Sequence, residues 1–139
     1  GTFWAMTKML LDKLGPDGEG YMWVSPYSYW YMDDVPMIQT IQAYNKKHYP
    51  DVTYQPNSYM QGWFTGMVYV KLAQMCHEAG LPITGDNLKD MLPKVSNWDT
   101  GGLNGVVSFS KSNATASGKV YKAQGGKFVA VSDWIKLDE

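Results

Sequence analysis

The sequence predicts an α/β chain with about four helices, a strand near residues 20–25, and closing strands that include a hairpin. Three observations carry this. Apolar residues recur at helical spacing in separate segments before residue 96. Tyr21-Met22-Trp23-Val24 is a run of strand formers cut off by Pro26, which cannot continue a central strand. The last third changes to short β-branched and aromatic runs flanking Gln124-Gly125-Gly126, a glycine-turn hairpin signature.

In order, the first helix starts at Ala5, with Met6, Met9, Leu10 and Leu14 inward and Gly15-Pro16 as its stop. Residues 20–36 then hold six aromatic side chains: Tyr21, Trp23, Tyr27, Tyr29, Trp30 and Tyr31. After Pro26 this stretch is a connector to a second helix, capped by Asp33 or Asp34 and opened by Pro36. That helix places Met37, Ile38, Ile41 and Tyr44 inward, Gln39, Gln42 and Asn45 outward, and Lys46, Lys47 and His48 in its last turn.

The third helix spans residues 58–79, capped by Ser58 or Asn57 and ended by Gly80. Its apolar residues exceed one stripe, so two sides should be buried, and Gly62 and Gly66 should admit a close neighbour. A fourth helix covers residues 86–95, with Leu88, Met91, Leu92 and Val95 inward. Val106, Val107 and Phe109 predict a short strand, and Trp134, Ile135 and Leu137 an apolar tail that docks.

Composition narrows the function. At 139 residues, with 45% hydrophobic and 18% charged side chains, the chain suits one folded domain with a core. A net charge of -1 gives no electrostatic case for nucleic acid or an anionic membrane as partner. The single cysteine, Cys76, excludes an internal disulfide. Six Trp and ten Tyr serve as core, or in part line a ligand site.

No catalytic pattern stands out. Cys76-His77-Glu78 are adjacent, so on a helix they point apart and do not make a metal site. Asp33-Asp34 reads as a cap before it reads as an acid-base pair, and His48 as a helix-end contact. Asn113-Ala114-Thr115 matches the short glycosylation acceptor pattern. Neither a cofactor nor a metal is expected.

Five segments in sequence order then carry a resemblance. They are the step at Glu19-Gly20-Tyr21, the helix end Tyr44-Asn45-Lys46-Lys47, and the long helix with Tyr59 ending Glu78-Ala79-Gly80. The others are the entry Gly102-Leu103-Asn104-Gly105-Val106-Val107-Ser108-Phe109 and the hairpin Gln124-Gly125-Gly126-Lys127-Phe128-Val129. Together these resemble the C-terminal part of type I periplasmic solute-binding proteins, the leucine/isoleucine/valine-binding family that feeds ABC importers.

The resemblance implies a fragment of a two-lobed, Rossmann-like fold whose N-terminal half is absent. It implies that residues 1–35 form a helix, a strand and an inter-lobe crossing of the second lobe. Residues 36–97 become helices of the first lobe, and residues 98–139 the closing strands and hairpin of the second. Ser25, Pro26 and Tyr29 then belong to a hinge, and Tyr27 to the cleft. Thr2, Phe3 and Trp4 fall at the family's ligand step. Family members that bind amino acids hold the ammonium group there with a carboxylate, and this chain has Phe3. That departure favours a carboxylate-bearing or aromatic solute, unless Phe3 and Trp4 simply pack under the first helix.

The implied function is an extracytoplasmic, non-enzymatic solute-binding component with ABC permease subunits as partners. The alternative is the ligand-sensing module of a receptor or regulator. Helices that cover a first-lobe sheet lack that sheet in this chain, so self-association is expected.

Overall fold

The computed structural model describes residues 4–109 and 117–136. Its first helix, α1 (Lys8–Leu14), begins where the Thr7 hydroxyl accepts a hydrogen bond from Leu10 N at 3.2 Å. Trp4 and Ala5, which the sequence placed at or beside the helix start, form a turn. The buried residues here are Met6 and Leu11, while Met9 and Leu14 lie exposed. So short a helix has one side to dock, and Leu11 occupies it.

The strand β1 (Met22–Ser25) pairs antiparallel with β2 (Ser117–Gln124), Trp23 lying opposite Tyr121. The chain then turns through Gly125 and Gly126 into β3 (Lys127–Ala130). Both glycines have positive φ, +58° and +72°, as a two-residue type I′ turn requires. Residues 131–134 carry two more positions than β2 offers opposite them, after which β4 (Ile135–Lys136) pairs with Ser117 and Gly118. Ser132 Oγ fills the gap by accepting from Val120 N at 2.9 Å.

The apolar tail docks in part. Trp134 lies under the Lys119 ammonium, 5.0 Å from its ring centroid, Ile135 is half exposed, and Leu137 is outside the described residues. The expected strand at Val106, Val107 and Phe109 does not form. Val107 exchanges two backbone hydrogen bonds with Trp98, and Phe109 N donates to Val95 O. The partner of this segment is the loop at residues 95–98, bent back by the left-handed Asn97 (φ 49°), and not a sheet edge.

The long helices are α2 (Pro36–His48) and α3 (Asn57–Glu78), followed by α4 (Gly85–Met91). Neither Asp33 nor Asp34 caps α2. Met37 N donates to Gly101 O at 2.9 Å, so a distant carbonyl has taken the orphan amide. Asp33 is held instead by Gln42, whose Nε2 donates to Oδ1 at 2.7 Å. Asn45, expected outside, is buried, because its amide ties down the following connector through Val52 O and Gln55.

Pro56 stands at the start of α3, and neither Asn57 nor Ser58 caps it, because Asn57 turns inward toward Ser25. Its end is a Schellman turn, with Gly80 N bonded to His77 O and Leu81 N to Cys76 O. Thr84 caps α4, and the helix tightens into a 3₁₀ turn over Leu92–Lys94 at Pro93 rather than running to Val95. Met91 and Val95 point inward, as the spacing predicts.

Three apolar cores result among the described residues. The first joins Tyr27, Val35, Ile38, Ile41, Met60, Phe64, Leu103 and Val107. The second joins Met6, Leu11, Trp23, Tyr29, Tyr121, Ala123 and Phe128. The third, at the far end of α3, joins Leu72, Cys76, Met91 and Val95. Among the described residues no strand residue is buried in the first core, but Met32 packs against both the first and the second core and Tyr121 Oη donates to Tyr27 O.

Candidate functional site: two connectors side by side

The aromatic stretch sends Tyr27 and Tyr29, two residues apart, into different cores. Tyr27 enters the helical core and meets Phe64 with ring centroids 6.1 Å apart. Tyr29 enters the sheet core, where its hydroxyl accepts from Trp23 Nε1 at 2.9 Å. Between them Ser28 is fully buried and held twice by the chain that returns from α4. Its amide donates to Leu103 O at 2.8 Å and its hydroxyl to Gly102 O at 2.7 Å. Asn104 Nδ2 donates to Pro26 O at 2.9 Å, a third tie between the same two segments.

The returning segment is shaped for this. Thr100 Oγ1 donates to Asn104 O and accepts from Asn104 N, both at 3.0 Å, closing residues 101–103 into a tight loop. Gly102 has φ +80°, and a Cβ there would stand 3.0 Å from Val35 Cγ1. Conformation and close approach together require glycine at this position. The loop carbonyls then point outward, Gly101 O to the first turn of α2 and Gly102 O to Ser28.

Burial holds the phenols around the connector in their neutral form. Burial pushes Tyr29 up to about 12 despite the Trp23 hydrogen bond, and raises Tyr31 and Tyr121 further. Tyr31 Oη accepts from Phe128 N at 2.6 Å, and the Tyr121 hydroxyl donates to Tyr27 O at 3.2 Å. These groups bind backbone to backbone across the connector.

Of the residues singled out by sequence, Ser25, Pro26, Tyr27 and Tyr29 lie together here. Ser25 Oγ accepts from Tyr27 N and Asn57 Nδ2 and donates to Tyr27 O. Trp4 lies in the turn ahead of α1 and is 58% exposed. Thr2 and Phe3 lie outside the described residues, as does Asn113-Ala114-Thr115. Cys76 is buried while His77 and Glu78 are exposed, and the described residues bring no three potential ligands together. Ser28, Gly102 and Asn104 were missed as partners. Gly101-Gly102-Leu103-Asn104 reads in sequence as a turn, and nothing in its composition names Ser28 as its partner.

No helix among the described residues is long and apolar enough to cross a membrane. No family model and no curated protein matches the sequence. Solved structures do match in fold. One is a branched-chain amino acid ABC transporter protein from Thermus thermophilus with bound valine. The alignment covers 99% of this chain and 38% of that one, with a TM-score of 0.80 and 20% identity. Another is the leucine-binding protein LivK from Thermotoga maritima, covering 93% of this chain and 34% of that one, with a TM-score of 0.64 and 17% identity. The chain thus spans well under half the length of either. It has the α/β fold of one part of a type I periplasmic-binding protein, the part shared with these branched-chain amino acid-binding structures.

Proposed function

We propose that this chain is part of an extracytoplasmic solute-binding component of an ABC importer, which captures a small carboxylate-bearing or aromatic solute between two lobes and performs no catalysis. The observation that carries the reading is the fold alignment over 99% of the chain at a TM-score of 0.80. The separation of a sheet core from a helical core, joined by two adjacent connectors, supports it. In this reading residues 1–35 and 98–139 belong to one lobe and residues 36–97 to the other, with Tyr27, Val35, Leu103 and Val107 reaching across into the helical core. Ser25, Pro26 and Tyr29 act in the hinge with Ser28 and Asn104 beside them, and Thr2, Phe3, Trp4 and Tyr27 serve the solute. Permease subunits are the partners of the closed form.

Calorimetry tests it. The whole protein is titrated with valine, leucine, a short aliphatic carboxylate and an aromatic acid. The expected result is a dissociation constant near or below about 10 µM for one class, that is about 7 kcal/mol or more. The 139-residue chain alone should bind none of them comparably, because one wall of the cleft is missing. Tight binding by the 139-residue chain alone overturns the two-lobe reading.

A further inference from the structure

Asn104-Gly105 is the one Asn-Gly step in the sequence. An asparagine amide is lost when the backbone nitrogen of the next residue attacks its Cγ, and glycine hinders that attack least because it carries no Cβ. Packing selects both residues of the step. A Cβ at Gly105 would stand 2.8 Å from Ser117 Oγ and 3.2 Å from Trp134 Cδ2. Asn104 is 4% exposed, and its Nδ2 donates to Pro26 O at 2.9 Å in the tie between the two connectors. The fold therefore sets a chemically labile pair where the connectors are clamped.

We propose that Asn104 is a deamidation site gated by opening of the connector pair, and that the acid formed there loosens the clamp. In the reaction the Gly105 nitrogen loses its proton and bonds to Asn104 Cγ, closing a succinimide ring. The Cγ–Nδ2 bond breaks, and Nδ2 leaves as ammonia with that proton. Water then opens the ring at Cγ or at the backbone carbonyl carbon, giving isoaspartate or aspartate. Ammonia is lost and water gained without oxidant, cofactor or partner, so the site stands apart from the proposed function.

The closed connectors oppose each part of this reaction. Thr100 Oγ1 accepts from Asn104 N and donates to Asn104 O, each at 3.0 Å. Asn104 O shares a peptide plane with the Gly105 nitrogen, so the second bond restrains the attacking atom. Attack places negative charge on Asn104 Oδ1, which is buried with no hydrogen-bond partner among the described residues. The departing Nδ2 is held by Pro26 O. Opening the ties frees the nitrogen and admits water to all three atoms. An aspartate, once formed, turns a carboxylate oxygen toward Pro26 O where Nδ2 donated, so two acceptors face each other in a buried place.

Peptide mapping by mass spectrometry tests this on the folded chain and on the chain in urea, both at mildly alkaline pH. In urea Asn104 should convert before the other asparagines. In the folded chain its conversion should be slower by about tenfold or more, yet measurable. Thr100→Ala removes both loop bonds and should speed conversion in the folded chain about fivefold or more. Ser28→Ala, which removes the bond to Gly102 O, takes its place if that variant does not fold. Hydrogen exchange of Asn104→Asp reads the effect of the product. The Ser28 amide, donor to Leu103 O, should exchange about tenfold faster or more, with the β2–β3 ladder unchanged. The aged chain, separated by charge, serves if Asn104→Asp does not fold.

Equal rates in the folded chain and in urea overturn the proposal, because the connectors then gate nothing. Another asparagine converting first in urea overturns it, and so does an Asn104 that stays intact in the folded chain while other asparagines convert. Unchanged exchange at Ser28 in Asn104→Asp removes the loosening of the clamp.

Discussion

Tyr29 shows how much one side chain does in this chain. Its ring packs edge-on to Tyr121 with centroids 4.9 Å apart, and its oxygen is the partner of a buried indole N–H. Tyr29→Phe keeps the ring and strands the Trp23 N–H. It is expected to cost about 1–3 kcal/mol in urea denaturation, with Trp23 emission altered. A second prediction concerns pH. Burial raises Tyr29, Tyr31 and Tyr121 above the ordinary phenol value of 10, so the folded chain holds protons that the unfolded chain releases. The stability tied to these phenols is intact below pH 10 and lost as pH rises beyond it, at up to about 1.4 kcal/mol per pH unit for each. Absorbance at 295 nm should show phenolate appearing together with loss of far-UV dichroism; phenolate appearing smoothly in the folded chain contradicts this. The aromatic density around Tyr29 was legible in the sequence. That Tyr27 and Tyr29 serve different cores was not, because it depends on what arrives from residues 101–128.

The elements were easier to foresee than their boundaries. Helical periodicity located all four helices, since 3.6-residue spacing is a property of the segment alone. Caps are decided by competition. Asp33 and Asp34 had the right chemistry, yet Gly101 O reached the first turn of α2, while Thr7 and Thr84 capped helices without having been singled out. The strand expected at residues 106–109 had the composition of a strand and lacked a sheet edge to join. Gly102 carries the element-scale prediction. Gly102→Ala meets both a positive φ and Val35 Cγ1, and should destabilise the chain by upwards of about 1 kcal/mol in urea denaturation. Gly126→Ala shares only the positive φ, with no atom within 4 Å, and should cost less. Equal losses would mean that contact with Val35 contributes nothing.

For the whole molecule, the five segments in order allowed the fold to be anticipated before any coordinates, and the structural alignment agrees at 20% identity. Of the proposed ligand step at Thr2, Phe3 and Trp4, only Trp4 falls among the described residues, where it is 58% exposed. An apolar groove along α3, lined by Tyr44, Trp63, Met67 and Val70 and covered by no described residue, also sets solution behaviour. At rising concentration, light scattering on the 139-residue chain should give masses above the 15.6 kDa of one copy, and Val70→Lys should return them toward it. A monomer at every concentration contradicts this.

The three ties between residues 26–28 and 102–104 constrain how the two cores can move. A single strand of backbone between two bodies permits twist, bend and slide alike. Two strands clamped together behave as a ply: sliding one along the other breaks all three ties at once, whereas bending both about a common line breaks none. Under the proposed two-lobe reading, these ties favour rotation about the paired connectors over sliding of one along the other.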